Sequence, residues 1–254
     1  MSYNLSMKLI SCNIEGNRHL EERLLPFFAR EKAEVLALQE VFETDLEVIK
    51  QASGLKNYVF YPQANVFREN KHLPTRGLWG EAIFADKILE SQTAVYVKHG
   101  EETPEFFAKE NPNSMNRALL TAQVLVQKEL FQIATTHFTW SGGAVISDEQ
   151  RQDFIALQKA LNKFPELILC GDLNTPRGFE LWTALAKQYT DNIPASIETT
   201  VDKNLHKSGL DIRLVIDALF TTPHYLVENV RVVPNTSDHM AVVCEVKINL
   251  TEKG

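Results

Sequence analysis

Short apolar runs that stop at polar residues recur along the chain, and their periodicity changes from segment to segment. MKLISCNIEG reads as a strand ending in Asn13, and the apolar residues of EERLLPFFAREKA fit a helix. EVLALQEVFE is a second apolar strand ending in Gln39 and Glu40, followed by an amphipathic helix in TDLEVIKQASG that Gly54 closes. The middle of the chain then predicts successive strands in NYVFYP, GEAIFAD, ILESQTAVYV, NRALLTAQVLV and LFQIATTHFTW, the pattern of an antiparallel region. SDEQRQDFIALQKALNKF returns to helical spacing, with Ser147 and Gln150 in a capping-box pattern and Phe154, Leu157, Leu161 and Phe164 on one face. LILCGDLN is another strand, FELWTALAKQ a short helix, and IRLVIDALFTT, YLVENVRVVP and HMAVVCEVKI are closing strands. Two halves that each mix strands with helices, with no linker between them, predict an α+β architecture in which two sheets pack face to face under outer helices.

The chain of 254 residues, 44% hydrophobic and 23% charged, can bury a large core, so a single domain over 1–254 is expected. No internal repeat or low-complexity tract divides it. No run reaches the roughly 18 apolar residues of a membrane span, and MSYNLSMKLI lacks the pattern of a secretion signal, which makes a soluble cytoplasmic protein the expectation. Cys12, Cys170 and Cys244 sit singly inside apolar runs, a pattern of reduced, buried thiols. A net charge of −7 argues against tight non-specific binding to nucleic acid. The segment FRENKHLPTRG is locally basic: Arg68 and Arg76, with Lys71 and His72, form either a solvated loop or a rim that contacts phosphate.

The chemistry gathers where apolar runs end, at Asn13, Glu40, His137, Asp172, Asn174, Asp217, Asp238 and His239. Carboxylates and imidazoles bordering buried strands are costly unless paired or metal-bound. Each has a plainer reading: GDLNTPRG can simply end a strand, Asn13 can be a turn residue, Glu40 a helix-start charge and His137 a satisfied interior histidine. Glu40 and Asn13 are oxygen donors suited to magnesium, whereas zinc lacks a closely spaced His or Cys set. Asp217, read as lying within an apolar strand, needs a partner, and His239 with Asp217 would make an imidazole held in one tautomer by a carboxylate.

The pieces SCNIEG, LQEVF, TTHF, GDLN, IDALF and SDHMAV, in this order over residues 11–242, resemble the endonuclease/exonuclease/phosphatase superfamily of DNase I-like enzymes. The resemblance implies a four-layer αββα sandwich and a phosphoesterase using Mg2+, with Mn2+ as a substitute. It implies that Glu40 is the principal metal ligand, that Asn13 and Asp238 lie at the metal, and that Asp172 and Asn174 position the attacking water and a phosphate oxygen. Asp217 and His239 correspond to the Asp-His dyad, and His137 to a histidine near the substrate. Glu81 departs from the pattern, standing where many relatives carry Asn or Leu; in relatives of the DNase I type a glutamate near this position pairs with that histidine, and the plainer reading is an ordinary strand carboxylate. Arg117 and Arg151 read more simply as structural. The expected substrate is a phosphodiester of a nucleic acid, with a small phosphorylated metabolite or lipid headgroup as the alternative; a non-catalytic binding module would have lost Glu40, Asp172 or His239. The segments 62–77 and 98–116, the latter with Phe106 and Phe107, are expected to border the cleft, and no oligomer is required.

Overall fold

The computed structural model describes residues 6–67, 77–100, 102–106 and 111–250. Two six-stranded mixed sheets pack face to face. The first takes β1 (Met7–Asn13), β2 (Val35–Phe42), β3 (Asn57–Val66), β4 (Gly77–Ala85), β11 (Tyr225–Val233) and β12 (Ala241–Ile248) in the order β11-β12-β1-β2-β4-β3. The second takes β5 (Ile88–Val97), β6 (Arg117–Val126), β7 (Glu129–Thr135), β8 (Ile168–Asp172), β9 (Thr190–Asp191) and β10 (Asp217–Thr221) in the order β5-β6-β7-β8-β10-β9. Helices α1 (Leu25–Glu31) and α2 (Leu46–Ser53) cover the first sheet, and α3 (Asp148–Leu161) and α4 (Glu180–Ala186) belong to the second half. This is the expected sandwich.

Strand alternation sorts the side chains between layers. Met7, Leu9, Val35, Ala37, Ile83 and Ala85 point into the core between the sheets, while Ile10, Cys12, Leu36, Leu38, Ala82 and Phe84 pack with Phe27, Phe28, Leu46 and Ile49 of the helical layer. Strands buried on both faces read as continuous apolar runs, which is why β1 and β8 are so visible in the sequence. The capping box of Ser147 and Gln150 opens α3, and all three cysteines are free and buried.

Parallel pairing positions the site. β1 runs parallel to β2 and β7 to β8, so their carboxyl ends emerge on one edge. Antiparallel β10 places its first residue, Asp217, opposite Asp172. The predicted strand IRLVIDALFTT is shorter than its apolar pattern: only Asp217–Thr221 pair as strand, so Asp217 opens the strand instead of lying inside it. The two-residue β9, which no pattern marks, pairs with its far end.

Gly171 allows β8 to approach the chain that follows β7. Its φ is +132°, and a Cβ there would stand 2.2 Å from the Thr136 carbonyl oxygen. Gly171→Ala is expected to cost about 2–5 kcal/mol, combining overpacking against backbone with a disfavoured φ. A thermal melt checks this; a variant that melts with wild type would contradict the close approach.

Candidate active site

Glu40 owes its direction to an irregularity that no hydrophobic pattern records. The register of β2 against β4 shifts between Leu38 and Val41, and Glu40 takes φ 61° within that bulge. Its carbonyl accepts the Gly16 N–H at 3.0 Å, tying the bulge to the turn after β1. Asn13 ends β1 with its Oδ1 accepting the Glu15 N–H at 3.1 Å. The Asn13 amide nitrogen then donates to Glu40 Oε1 at 3.0 Å and to Asp172 Oδ2 at 3.1 Å. Asp172 Oδ1 accepts the backbone N–H of Asn174 at 2.8 Å, and Asn174, at φ 48°, donates from Nδ2 to the Phe138 carbonyl at 2.9 Å.

Opposite this group stands His239. Its Nδ1 lies 3.0 and 2.9 Å from the two oxygens of Asp217, and its Nε2 lies 3.7 Å from Asp172 Oδ2. A carboxylate at Nδ1 fixes the proton there and turns Nε2 to the cleft. Burial opposes the imidazolium, but the charges of Asp217, Asp172 and Asp238 hold the His239 pKa well above the ordinary histidine value. The segment 200–202 sews the dyad together. Thr200 Oγ1 accepts the N–H groups of Ile216 and Asp217, each at 3.1 Å, its carbonyl accepts Met240 N–H at 2.7 Å, and the Asp202 N–H donates to the Asp238 carbonyl at 2.8 Å.

His137 has the opposite character. Burial and the Arg117 charge push its pKa well below the ordinary value, so the ring is neutral. Its Nε2 lies 3.6 Å from Asp172 Oδ2 and 3.8 Å from Glu40 Oε1. Glu81 does not hold the ring as the resemblance implied. Its Oε1 accepts the backbone N–H of His137 and the Gln63 amide, while His137 Nδ1 has no hydrogen-bond partner among the described residues. Arg117 is buried behind it and donates to the His137 carbonyl at 2.9 Å and to Asn113 Oδ1 at 3.0 Å.

The donor set suits a hard divalent cation. Burial, then the neighbouring Asp238, raises the Glu40 pKa to about 7. Burial, with Asp217 adding to it against His239, raises Asp172 to about 6. Carboxylates that resist ionisation because they are buried beside one another are those a cation would relieve. Asp172, Asp217 and His239 also offer ligand atoms within 4.8 Å of one another.

The eight residues expected at strand ends therefore meet at one edge, although Glu40 reaches it from a bulge. Arg68 and Arg76 lie outside the described residues, as does Phe107. Phe106 packs on Trp79 with ring centroids 5.0 Å apart. Arg151 is a surface residue paired with Asp148 and Glu180. Sequence reasoning missed Asn113, Thr200 and Asp202, polar residues in loops whose only signal is burial.

A profile of the Endonuclease/Exonuclease/phosphatase family matches residues 1–239. Among solved structures, an endonuclease/exonuclease/phosphatase from Beutenbergia cavernae aligns at TM-score 0.73 and 17% identity, covering 96% of this chain and 72% of that one. A mannosyl-6-phosphatase from Bacteroides thetaiotaomicron aligns at 0.70 and 15%, covering 95% and 99%. D. rerio TDP2 complexed with a single-strand DNA product aligns at 0.63 and 17%, covering 95% and 99%. At these identities the likeness concerns the fold. No curated protein matches the sequence.

The raised pKa of Glu40 has a stability consequence. The folded state keeps a proton on Glu40 that the unfolded chain releases, so stability falls as pH rises from the ordinary value of 4.5 to about 7. In chelator, Glu40→Gln is expected to match wild type near pH 4 and to exceed it increasingly up to pH 7, by on the order of 3 kcal/mol. Calorimetric melts across this range check it; a pH-independent difference would contradict the crowding.

Proposed function

Because the chain belongs to the endonuclease/exonuclease/phosphatase family, whose members are phosphoester hydrolases, we propose that it is a magnesium-dependent phosphoesterase that directs water at phosphorus without a covalent enzyme intermediate. The observation that carries this is the Asp217–His239 pair aimed at Asp172 across from Glu40. Glu40 and Asp238 would hold the cation, which supplies charge neutralisation at the phosphoryl oxygens. Asn13, expected at the metal, has its oxygen engaged by the Glu15 N–H and its amide nitrogen turned to Glu40 and Asp172, so its role here is to orient those carboxylates.

Asp172 is assigned to take the proton of the attacking water, and the Asn174 N–H on its Oδ1 fixes its orientation. Charged His239 donates from Nε2 to a phosphoryl oxygen, and Asp217 stabilises that charge. Neutral His137, whose Nε2 also approaches Asp172 Oδ2, is assigned to the leaving oxygen. The bond broken is taken to be a phosphodiester of a nucleotide or nucleic acid. The net charge of −7 supports a second reading, a small phosphorylated molecule. Buried reduced thiols support a cytoplasmic site of action, and no described helix is long and apolar enough to cross a membrane.

Turnover of a panel of phosphodiesters and phosphomonoesters is expected to vanish in excess EDTA and return with magnesium or manganese; full turnover in chelator would reject the metal. His239→Ala and Asp217→Ala are each expected to lower kcat by orders of magnitude, and the double variant by little more, because residues acting as a unit are non-additive. Multiplicative losses would break the dyad assignment.

A further inference from the structure

Trp140 lies three residues beyond His137, and its side chain is 47% exposed, while Trp79 and Trp182 are each only 2% exposed. An exposed indole forgoes the favourable burial of a large apolar surface, and holding it still costs side-chain entropy as well. Yet the backbone that carries it is held on every side. Its N–H donates to Asn113 Oδ1 at 2.9 Å, and its carbonyl accepts from Asn113 Nδ2 at 3.0 Å. The same Asn113 oxygen accepts from Arg117, whose other nitrogen holds the His137 carbonyl. On the opposite side, Gln150 Nε2 donates both to the Thr139 carbonyl at 2.8 Å and to the Asn174 carbonyl at 3.1 Å. One network thus fixes the chain of Trp140 to the chains of His137 and Asn174 at the site.

The ring itself rests on Gly142, where an added Cβ would stand 3.2 Å from Trp140 Cη2. The Gly142-Gly143 turn, with φ 70° at Gly143, so packs against the indole and leaves about half of the residue exposed. An extended chain of three residues spans at most about 10 Å, so the backbone of Trp140 lies within that distance of the backbone of His137. An exposed aromatic face is what unpaired bases use to dock on proteins.

We propose that Trp140 is a stacking platform for the nucleobase attached to the scissile phosphate, and so determines which phosphate esters this enzyme prefers. The assignment rests on the phosphoesterase reading above and adds a substrate class to it.

The test compares the p-nitrophenyl ester of thymidine 5′-phosphate with methyl p-nitrophenyl phosphate, which share a leaving group and differ in the ring. In wild type the ratio of their kcat/KM values is expected to favour the thymidine ester. Trp140→Ala is expected to reduce that ratio roughly five- to a hundredfold, the range of one base–aromatic stack, mainly through KM, and Trp140→Phe to retain most of it. An unchanged ratio in Trp140→Ala overturns the proposal. A third arm uses the p-nitrophenyl ester of ribose 5-phosphate; if its hydrolysis depends on Trp140 as strongly as that of the thymidine ester, the ring engaged is the sugar and the base assignment falls. Acrylamide quenching reads the platform without turnover: thymidine 5′-monophosphate is expected to shield the wild-type fluorescence, and equal quenching with and without it overturns the proposal. If wild type hydrolyses no ester, the phosphoesterase reading fails while the quenching result still decides the platform.

Discussion

The site depends on holding carboxylates together that electrostatics would push apart. Glu40 comes from the first sheet and Asp172 from the second, and one amide group, Asn13 Nδ2, donates to both. That bridge is possible only because Asn13 ends the strand paired parallel to β2 while β8 abuts from the facing sheet. Removing one donor would leave two buried oxygens short of a partner, a larger loss than the net value of the bonds themselves. Burial first, and the neighbouring carboxylates after it, raise the pKa values of Glu40 and Asp172. A site kept in this condition has stability to gain from a divalent cation, so metal affinity and fold stability are linked through the same groups.

The second constraint is topological. Asp217 and His239 are 22 residues apart in the chain; Asp217 opens β10 of the second sheet, and His239 stands just ahead of β12 of the first. Their alignment is carried by the loop that reaches across both: Thr200 binds the backbone ahead of β10 with its hydroxyl and the residue after His239 with its carbonyl. Asp202 extends the connection by accepting Asn235 N–H at 2.7 Å. A loop that appears structureless in the sequence therefore performs the register-setting that hydrogen-bonded strands perform elsewhere.

How much of this was legible follows from what a sequence pattern records. Burial on both faces writes itself as an apolar run, so β1, β2 and β8 were visible, and with them the positions of Asn13, Asp172 and the order of the motifs. Backbone irregularity leaves no such mark. The bulge that turns Glu40 to the cleft was not readable, and Glu40 was placed by its motif alone. The apolar residues before Asp217 resembled strand, yet Val215 is buried without strand pairing, because apolar packing does not distinguish a strand from a buried irregular segment. Glu81 was found in the right neighbourhood with the wrong partner. It holds a main-chain N–H of His137, and side-chain chemistry gives no notice of a backbone contact.

The two histidines show how one cleft sustains opposite proton states. His239 and His137 both approach Asp172 Oδ2, at 3.7 and 3.6 Å, so proximity to that carboxylate cannot separate them. What does is the second neighbour of each ring. His239 rests its Nδ1 on Asp217, whose charge outlasts the penalty of burial. His137 has the Arg117 guanidinium behind it, and Glu81 spends its acceptor on the main chain, so burial and Arg117 act in the same direction. Paired titratable groups whose surroundings drive their pKa values apart mark complementary roles in proton transfer and charge stabilisation. Here the separation is set by burial and by groups that need never touch a substrate: burial, reinforced by Arg117, keeps His137 neutral, while Asp217 leads the carboxylates that keep His239 charged across from the same Asp172.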